Sequence, residues 1–136
     1  MSDAVTIELC SPTRAPQALQ AERVVLPGAG GVITIMPGHT EFLSQLESGA
    51  VIVHENDEMT FFAVHGGFVE VLRDRILVLA DHVESASDID PKRALAAQER
   101  AEERIQSPGD DTDIPRAELA LARSLARIQA HSGELY

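Results

Sequence analysis

Cysteine is almost missing from this chain: Cys10 is the only one in 136 residues. No disulfide can close within one chain, and no cysteine-based zinc site can form. That usage fits a reducing compartment. Long apolar runs are missing too. The longest, Ile76 to Ala80, is far short of the ~20 residues that a membrane-spanning helix needs. No charged-then-apolar leader opens the chain. Basic residues are scarce, with 11 Lys and Arg against 22 Asp and Glu and a formal net charge of −11. The deficit is deeper in residues 1–86, with 12 acids against 4 Lys/Arg, than in residues 87–136, with 10 against 7. Such a field repels phosphate, so nucleic acid and anionic lipid are poor general partners. A local arginine stripe can still hold an anion, so the placement of the few arginines matters.

The components of an active site are missing as well. No nucleophile–base pair, metal triad or distinctive carboxylate pair stands out, which argues against an independent catalytic activity. The histidines are His39, His54, His65, His82 and His131. None sits at a close ligand spacing such as H-x-H or H-E-x-x-H, so they read as scattered surface or partly buried side chains. No catalytic residue and no metal site is expected.

What the chain does have is a change of grammar at about residue 87. Before it come short strands. Val5, Ile7 and Leu9 share one face, opposite Thr6 and Glu8, and Val69 and Val71 point away from Glu70. Period-2 alternation of this kind marks half-buried strands. Val24-Val25-Leu26, Val51-Ile52-Val53 and the stretch around Phe61 are apolar on both faces and belong nearer the middle of a two-layer packing. Pro27-Gly28, Gly30-Gly31, Pro37-Gly38, Asn56-Asp57 and Gly66-Gly67 punctuate the runs. About eight short strands with no helix between them predict an antiparallel sandwich. Gly28-Ala29-Gly30-Gly31 looks superficially like a phosphate loop. Such a loop needs a helix N-terminus behind it, and Val32 to Ile35 reads as strand, so this is a plain turn. Gly66 and Gly67 suit a positive φ or a close backbone approach.

After residue 87 the chain reads as two Ala-rich helices. Asp90 is a good N-cap with Pro91 behind it, and propensity stays high to Ile105. Ala94, Ala97, Ala101 and Ile105 form a stripe of small residues that admits a close partner helix. Ser107-Pro108-Gly109 stops the helix. The second helix is predicted from Ile114 to Ala130. Its apolar stripe is Ile114, Ala117, Leu121, Leu125 and Ile128. At ~100° per residue, Arg116, Arg123 and Arg127 form a second stripe on nearly the opposite face. Those arginines read either as a solvated face or as contacts for an acidic protein surface or a phosphate. Isolated helices of this length are marginal, so the hairpin must lean on something. A closed form favoured only slightly can open when a partner offers equivalent contacts. The fold expected is α+β: a β-sandwich over 1–86, then an antiparallel two-helix hairpin over 87–136.

Four segments in order resemble the epsilon subunit of the bacterial F-type rotary ATP synthase. Gly31-Val32-Ile33-Thr34-Ile35-Met36-Pro37-Gly38-His39 resembles the glycine-to-"PGH" segment of that family. Gly66-Gly67-Phe68-Val69-Glu70-Val71 resembles its "GG-hydrophobic-x-E-V" signature. Val78-Leu79-Ala80-Asp81 resembles the strand that closes the sandwich, and Ile89-Asp90-Pro91-Lys92-Arg93-Ala94 its "I/L-D-x-x-R-A" helix opening. The resemblance implies a non-catalytic rotor subunit, peripheral to the cytoplasmic face of the bacterial inner membrane. Its sandwich would bind the gamma subunit and touch the ring of c subunits, with Ala29, Gly30, Gly31 and His39 near that contact. Its hairpin would fold on the sandwich or extend to the catalytic alpha and beta subunits. There Arg116, Arg123 and Arg127 would inhibit ATP hydrolysis. The family's pattern for ATP on the folded hairpin matches Glu84, Ile89, Asp90, Arg93, Ala94, Arg123 and Arg127. ATP would thus be a regulatory ligand rather than a required cofactor. The arginine constellation taken alone also suits a free-standing ATP-sensing module.

Overall fold

The computed structural model describes residues 4–133, so the outer limits of the two expected segments lie outside the described residues. Ten strands come first: β1 Val5–Ser11, β2 Arg14–Ala21, β3 Arg23–Gly28, β4 Gly31–Ile35, β5 Phe42–Gln45, β6 Gly49–Glu55, β7 Glu58–Val64, β8 Phe68–Val71, β9 Arg75–Leu79 and β10 Val83–Ser85. A short 3-10 turn, Ala86–Asp88, leads to helices α1 (Pro91–Gln106) and α2 (Ile114–Ser132). The strands form two five-stranded sheets, ordered β2-β1-β9-β8-β5 and β10-β7-β6-β3-β4.

All ladders are antiparallel except β1 with β9, which is parallel in the register Ile7↔Ile76. The sandwich is therefore mixed at one ladder. Strand β2 (RAPQALQA) carries no β-branched residue and contains Pro16. It sits at a sheet edge, where proline costs no ladder bond on its open side. Sequence alternation does not reveal it.

Between the sheets lies one core, including Ile7, Leu9, Val24, Leu26, Ile35, Val51, Val53, Phe62, Val64, Val69, Ile76 and Val78. Turn chemistry agrees with the sequence. Asn56 (φ 50°) and Asp57 (φ 65°) make the two-residue β6–β7 hairpin turn closed by Glu55↔Glu58, a backbone shape that favours Asn and Asp. Gly28↔Gly31 closes the β3–β4 hairpin over Ala29 and Gly30, so this glycine run is a turn between strands. Gly67 has φ 108°, and a Cβ there would collide with the backbone of Leu79 and Ala80. Only glycine lets the β7–β8 connection pass so close.

The hairpin adds a third layer. Helix α2 packs on β6 and β7, and α1 packs mainly on α2. This explains why β6 is buried on both faces: Val51 and Val53 face the sandwich core, while Ala50 joins Ala63, Ile89, Ala126 and Ala130 in a second small core beside Phe61. The double-sided burial thus comes from a helix on the outer face, not only from a central position between two sheets.

The expected α2 seam is met in part: Ala117 is buried and Ile114, Leu121 and Ile128 partly so, whereas Leu125 is 41% exposed and the remaining buried residues, Ser124, Ala126 and Ala130, lie outside the stripe. A helix lying this close on a sheet selects small side chains at the contact, so the bulky periodic stripe marks it only in part. Ser124 hides its hydroxyl by donating to the Leu121 carbonyl at 2.8 Å. In α1 the small stripe behaves as expected, with Ala94 and Ala101 buried.

Candidate functional site

The junction between β10, the 3-10 turn, α1 and α2 gathers most of the chain's unusual electrostatics. Asp90 caps α1: its Oδ1 accepts from the Lys92 and Arg93 amides at 3.0 and 3.3 Å. Pro91 occupies the first turn, where its missing N–H costs nothing. Asp113 caps α2 in the same way by accepting from the Arg116 amide at 3.1 Å. These caps orient the two helix starts. Strand β10 is tied down from the far side of the sandwich, because Arg14 of β2 donates to the Ser85 hydroxyl at 2.8 Å and the Val83 carbonyl at 3.4 Å.

Glu84 lies between those two anchored residues. Its Oε1 accepts from Arg127 Nε at 2.7 Å and from His65 Nε2 at 2.8 Å. Burial alone would raise the Glu84 carboxyl. The hydrogen bonds from Arg127 and His65 and the positive charge of Arg127 outweigh it and hold the group below its ordinary value. His65 moves down as well, pushed by burial and by Arg127 and His82 against the pull of Glu84. The His82 ring stacks on His65 at 5.8 Å between centroids and 23° between planes.

A cleft of about 370 Å³ opens beside this pair, lined by Glu84, Asp88, Ile89, Asp90, Arg93, Ala94, Ala97, Arg100 and Arg127. Six of the seven residues expected to hold ATP thus share one concavity: Glu84, Ile89, Asp90, Arg93, Ala94 and Arg127. The seventh does not. Arg123 lines a separate cleft of about 550 Å³ with Leu46, Glu47, Ser48, His65, Gly66, Asp81, Leu119 and Ala122. Arg116 lines a third, with Arg104 and the acidic loop Asp110 to Asp113. The arginine stripe is therefore divided among three surroundings. Arg116 and Arg123 are exposed, while Arg127 turns to the sandwich and is half-buried. The expectation that all three stand on the face away from the packing fails at Arg127. Arg127 reaches Glu84 of β10, which supplies the counter-charge.

Arg100 was missed by the sequence reading. It sits two helical turns after Arg93 in α1, and an i, i+7 spacing returns a side chain to the same face. That periodicity was the available signal. The cleft then holds three guanidinium groups against Glu84, Asp88 and Asp90. Arginine forks are suited to planar or tetrahedral oxyanions. Among the described residues no group of three or more His, Cys, Asp or Glu side chains is arranged to hold a metal ion.

The other expected site lies at the far side of the sandwich. Ala29, Gly30, Gly31 and His39 are all exposed. The turn and His39 flank β4, whose five residues span roughly 13 Å. The turn is braced by the Ala29 amide, which donates to the Gln45 carbonyl at 2.9 Å. His39 packs its ring near Phe42, at 5.4 Å between centroids. Val32 and Met36 add exposed apolar surface on the same segment.

Two family models together span the described chain. Residues 4–86 match the β-sandwich domain of the ATP synthase delta/epsilon chain, and residues 87–132 match its long α-helix domain. The chain belongs to the ATP synthase epsilon family. Relatives agree over almost their whole length. The ATP synthase epsilon chain of Desulfitobacterium hafniense is 42% identical over 130 residues, covering 96% of this chain and 98% of the relative. That of Desulforamulus reducens is 38% identical with the same coverage. That of Bacillus velezensis is 40% identical over 124 residues, covering 91% and 94%. The fold also matches a chain from the Euglena gracilis mitochondrial ATP synthase, with a TM-score of 0.78 at 19% identity, covering 91% of this chain and 79% of that one. In the family models, as here, the sandwich domain precedes the helical domain. No described helix is long and apolar enough to cross a membrane.

Proposed function

We propose that the chain is a non-catalytic rotor subunit that links the c-ring to the gamma subunit and adjusts ATP hydrolysis through its hairpin. Membership of the epsilon family carries the first half of this reading. The cleft at the hairpin–sandwich junction carries the second. ATP is its proposed regulatory ligand, held by Arg93, Arg100 and Arg127 with Glu84 and Asp90 at the rim. A nucleotide bridging α1, α2 and β10 stabilises the closed hairpin by its differential affinity for that state.

In the extended state, Arg116, Arg123 and Arg127 face the acidic surface of a catalytic subunit and slow hydrolysis. Arg127 is tied to Glu84 in the closed form, so closure withholds one inhibitory side chain. The exposed turn Ala29–Gly31 and His39 are the proposed contacts of the gamma and c-ring face. On this reading the subunit lies on the cytoplasmic face of the inner membrane without inserting into it.

The test is a reconstitution. A catalytic head with gamma but lacking its epsilon subunit is titrated with this chain while binding and ATP hydrolysis are recorded. Saturable binding with a fall in rate is expected, relieved by replacing Arg116, Arg123 and Arg127 with Ala. Binding without any rate change would remove the hairpin from control. Absence of binding, together with ATP binding to the isolated chain, would favour a free-standing nucleotide sensor.

A further inference from the structure

The hairpin is held to the sandwich by an alanine seam and by one charged link. Among the described residues, Arg127 with Glu84 is the only ion pair between the two parts. That pair shares its acceptor oxygen with His65, which is only 6% exposed. A carboxylate can only accept, so the neutral His65 carries its proton on Nε2 and leaves Nδ1 bare. Nδ1 is buried and has no hydrogen-bond partner. One oxygen atom therefore joins β10, the end of β7 and helix α2.

A second proton on His65 disturbs this arrangement in two ways. It creates a buried N–H donor with no acceptor. It also sets a full positive charge beside Arg127, with both cations on the same carboxylate oxygen. The groups facing His65 are Glu84 from β10, Arg127 and Arg123 from α2, Asp81 and His82 from the β9–β10 turn, and Glu47 from the β5–β6 connection. Asp81 and Glu47 line an open cleft next to His65 and do not bond to it. When α2 leaves, Arg127 leaves with it, that cleft loses the Leu119, Ala122 and Arg123 wall, and Glu84 serves the imidazolium alone.

We propose that His65 is a proton-sensitive latch whose protonation releases α2 from the sandwich, so that mild acid opens the hairpin. The inference rests on the reading above that the hairpin can leave the sandwich. The direction of the linkage agrees. Burial, Arg127 and His82 depress His65 in the closed form, and opening relaxes it toward the ordinary 6.5. The open form then binds more protons, so closure is complete above about pH 6.5 and weakens as pH falls through that value. If the closed form took up no proton, the open-to-closed ratio would rise about 10-fold between pH 8 and pH 5.5.

The experiment uses the full chain with Cys10→Ser and a distance-reporting label pair at Glu58→Cys on β7 and Glu118→Cys on α2, both exposed positions. A longer-distance population should grow severalfold between pH 8 and pH 5.5. His65→Gln keeps an amide donor for Glu84 but cannot titrate, and should flatten that response. The same pH response in His65→Gln would overturn the latch. Arg127→Ala separates the two readings. If it opens the hairpin at every pH while the parent chain ignores pH, the latch fails and the mobile hairpin stands. If neither opens, both fail. Should His65→Gln not fold, the imidazole resonance of His65 decides: it should titrate higher in Arg127→Ala than in the parent chain, and equal titration would overturn the latch.

Discussion

Glu84 is the side chain on which most of the junction depends. It accepts from a cation of α2 and from a histidine of β7, and removing it leaves both donors without their acceptor. We expect Glu84→Ala to cost on the order of 1–3 kcal/mol, as when a partly buried charge-assisted bond is broken. Urea unfolding would measure it, and a loss below about 0.5 kcal/mol would mean that water replaces the carboxylate. The same residue sets an acid limit. Its carboxyl is depressed in the folded chain, so its contribution is present above the ordinary carboxylate value of 4.5 and is lost as pH falls through the folded value. The Glu84→Gln chain should lose less stability than its parent below about pH 4.5. Gly67 depends on backbone shape instead. Gly67→Ala forces a Cβ into the Leu79–Ala80 backbone at φ 108° and should cost roughly 1–3 kcal/mol, read as a fall in melting temperature. The Gly66-Gly67 pair was legible in the sequence as a special backbone position. The Glu84–His65–Arg127 hub was not, because its members lie 19 and 43 residues apart.

Elements were legible in proportion to how local their causes are. The start of α1 was readable from Asp90-Pro91, since a cap and a fixed φ act within one turn. The β6–β7 and β3–β4 turns were readable for the same reason. The edge strand β2 escaped, because its pairing with β1 rather than its own residues makes it a strand. The packed face of α2 was legible only in part, because the stripe of large apolar residues omits Ala126 and Ala130, the small side chains that dock against Ala50 and Ala63. That account makes a prediction at the level of the element. Ala126→Leu should overfill the space against Ala50 and Ala63 and cost about 1–3 kcal/mol of docking. Hydrogen exchange should show protection falling in α2 while the β6–β7 ladder keeps its own. Loss in both elements together would mean that helix and sheet form one cooperative unit.

At the scale of the whole molecule, the three layers are unequal. The sandwich owns the large core, and the hairpin adds only a small alanine-rich one. Apolar burial stabilises by about 25 cal/mol per Å², so a seam of methyl groups holds α2 much less firmly than Phe62 or Ile7 hold the sheets together. Residues 1–86 alone should therefore fold cooperatively and still bind gamma, at some cost in stability from uncovering Ala50 and Ala63. A truncated chain without a cooperative melt would show that the helix layer is required for the sandwich.

What the sequence determined by itself is whatever depends on neighbours along the chain: strand alternation, turn glycines, helix caps, and the order of sandwich before hairpin. It also determined the overall negative charge and, through the family resemblance, six of the nine residues that line the cleft. Only the tertiary structure decided where the hairpin rests, which arginine it ties down, and which three surroundings divide the arginine stripe. Those outcomes hang on contacts between distant segments, in which a few methyl groups and one shared carboxylate oxygen select one packing over another. Residue periodicity records which side of a helix is apolar, but not how close a sheet will come to it.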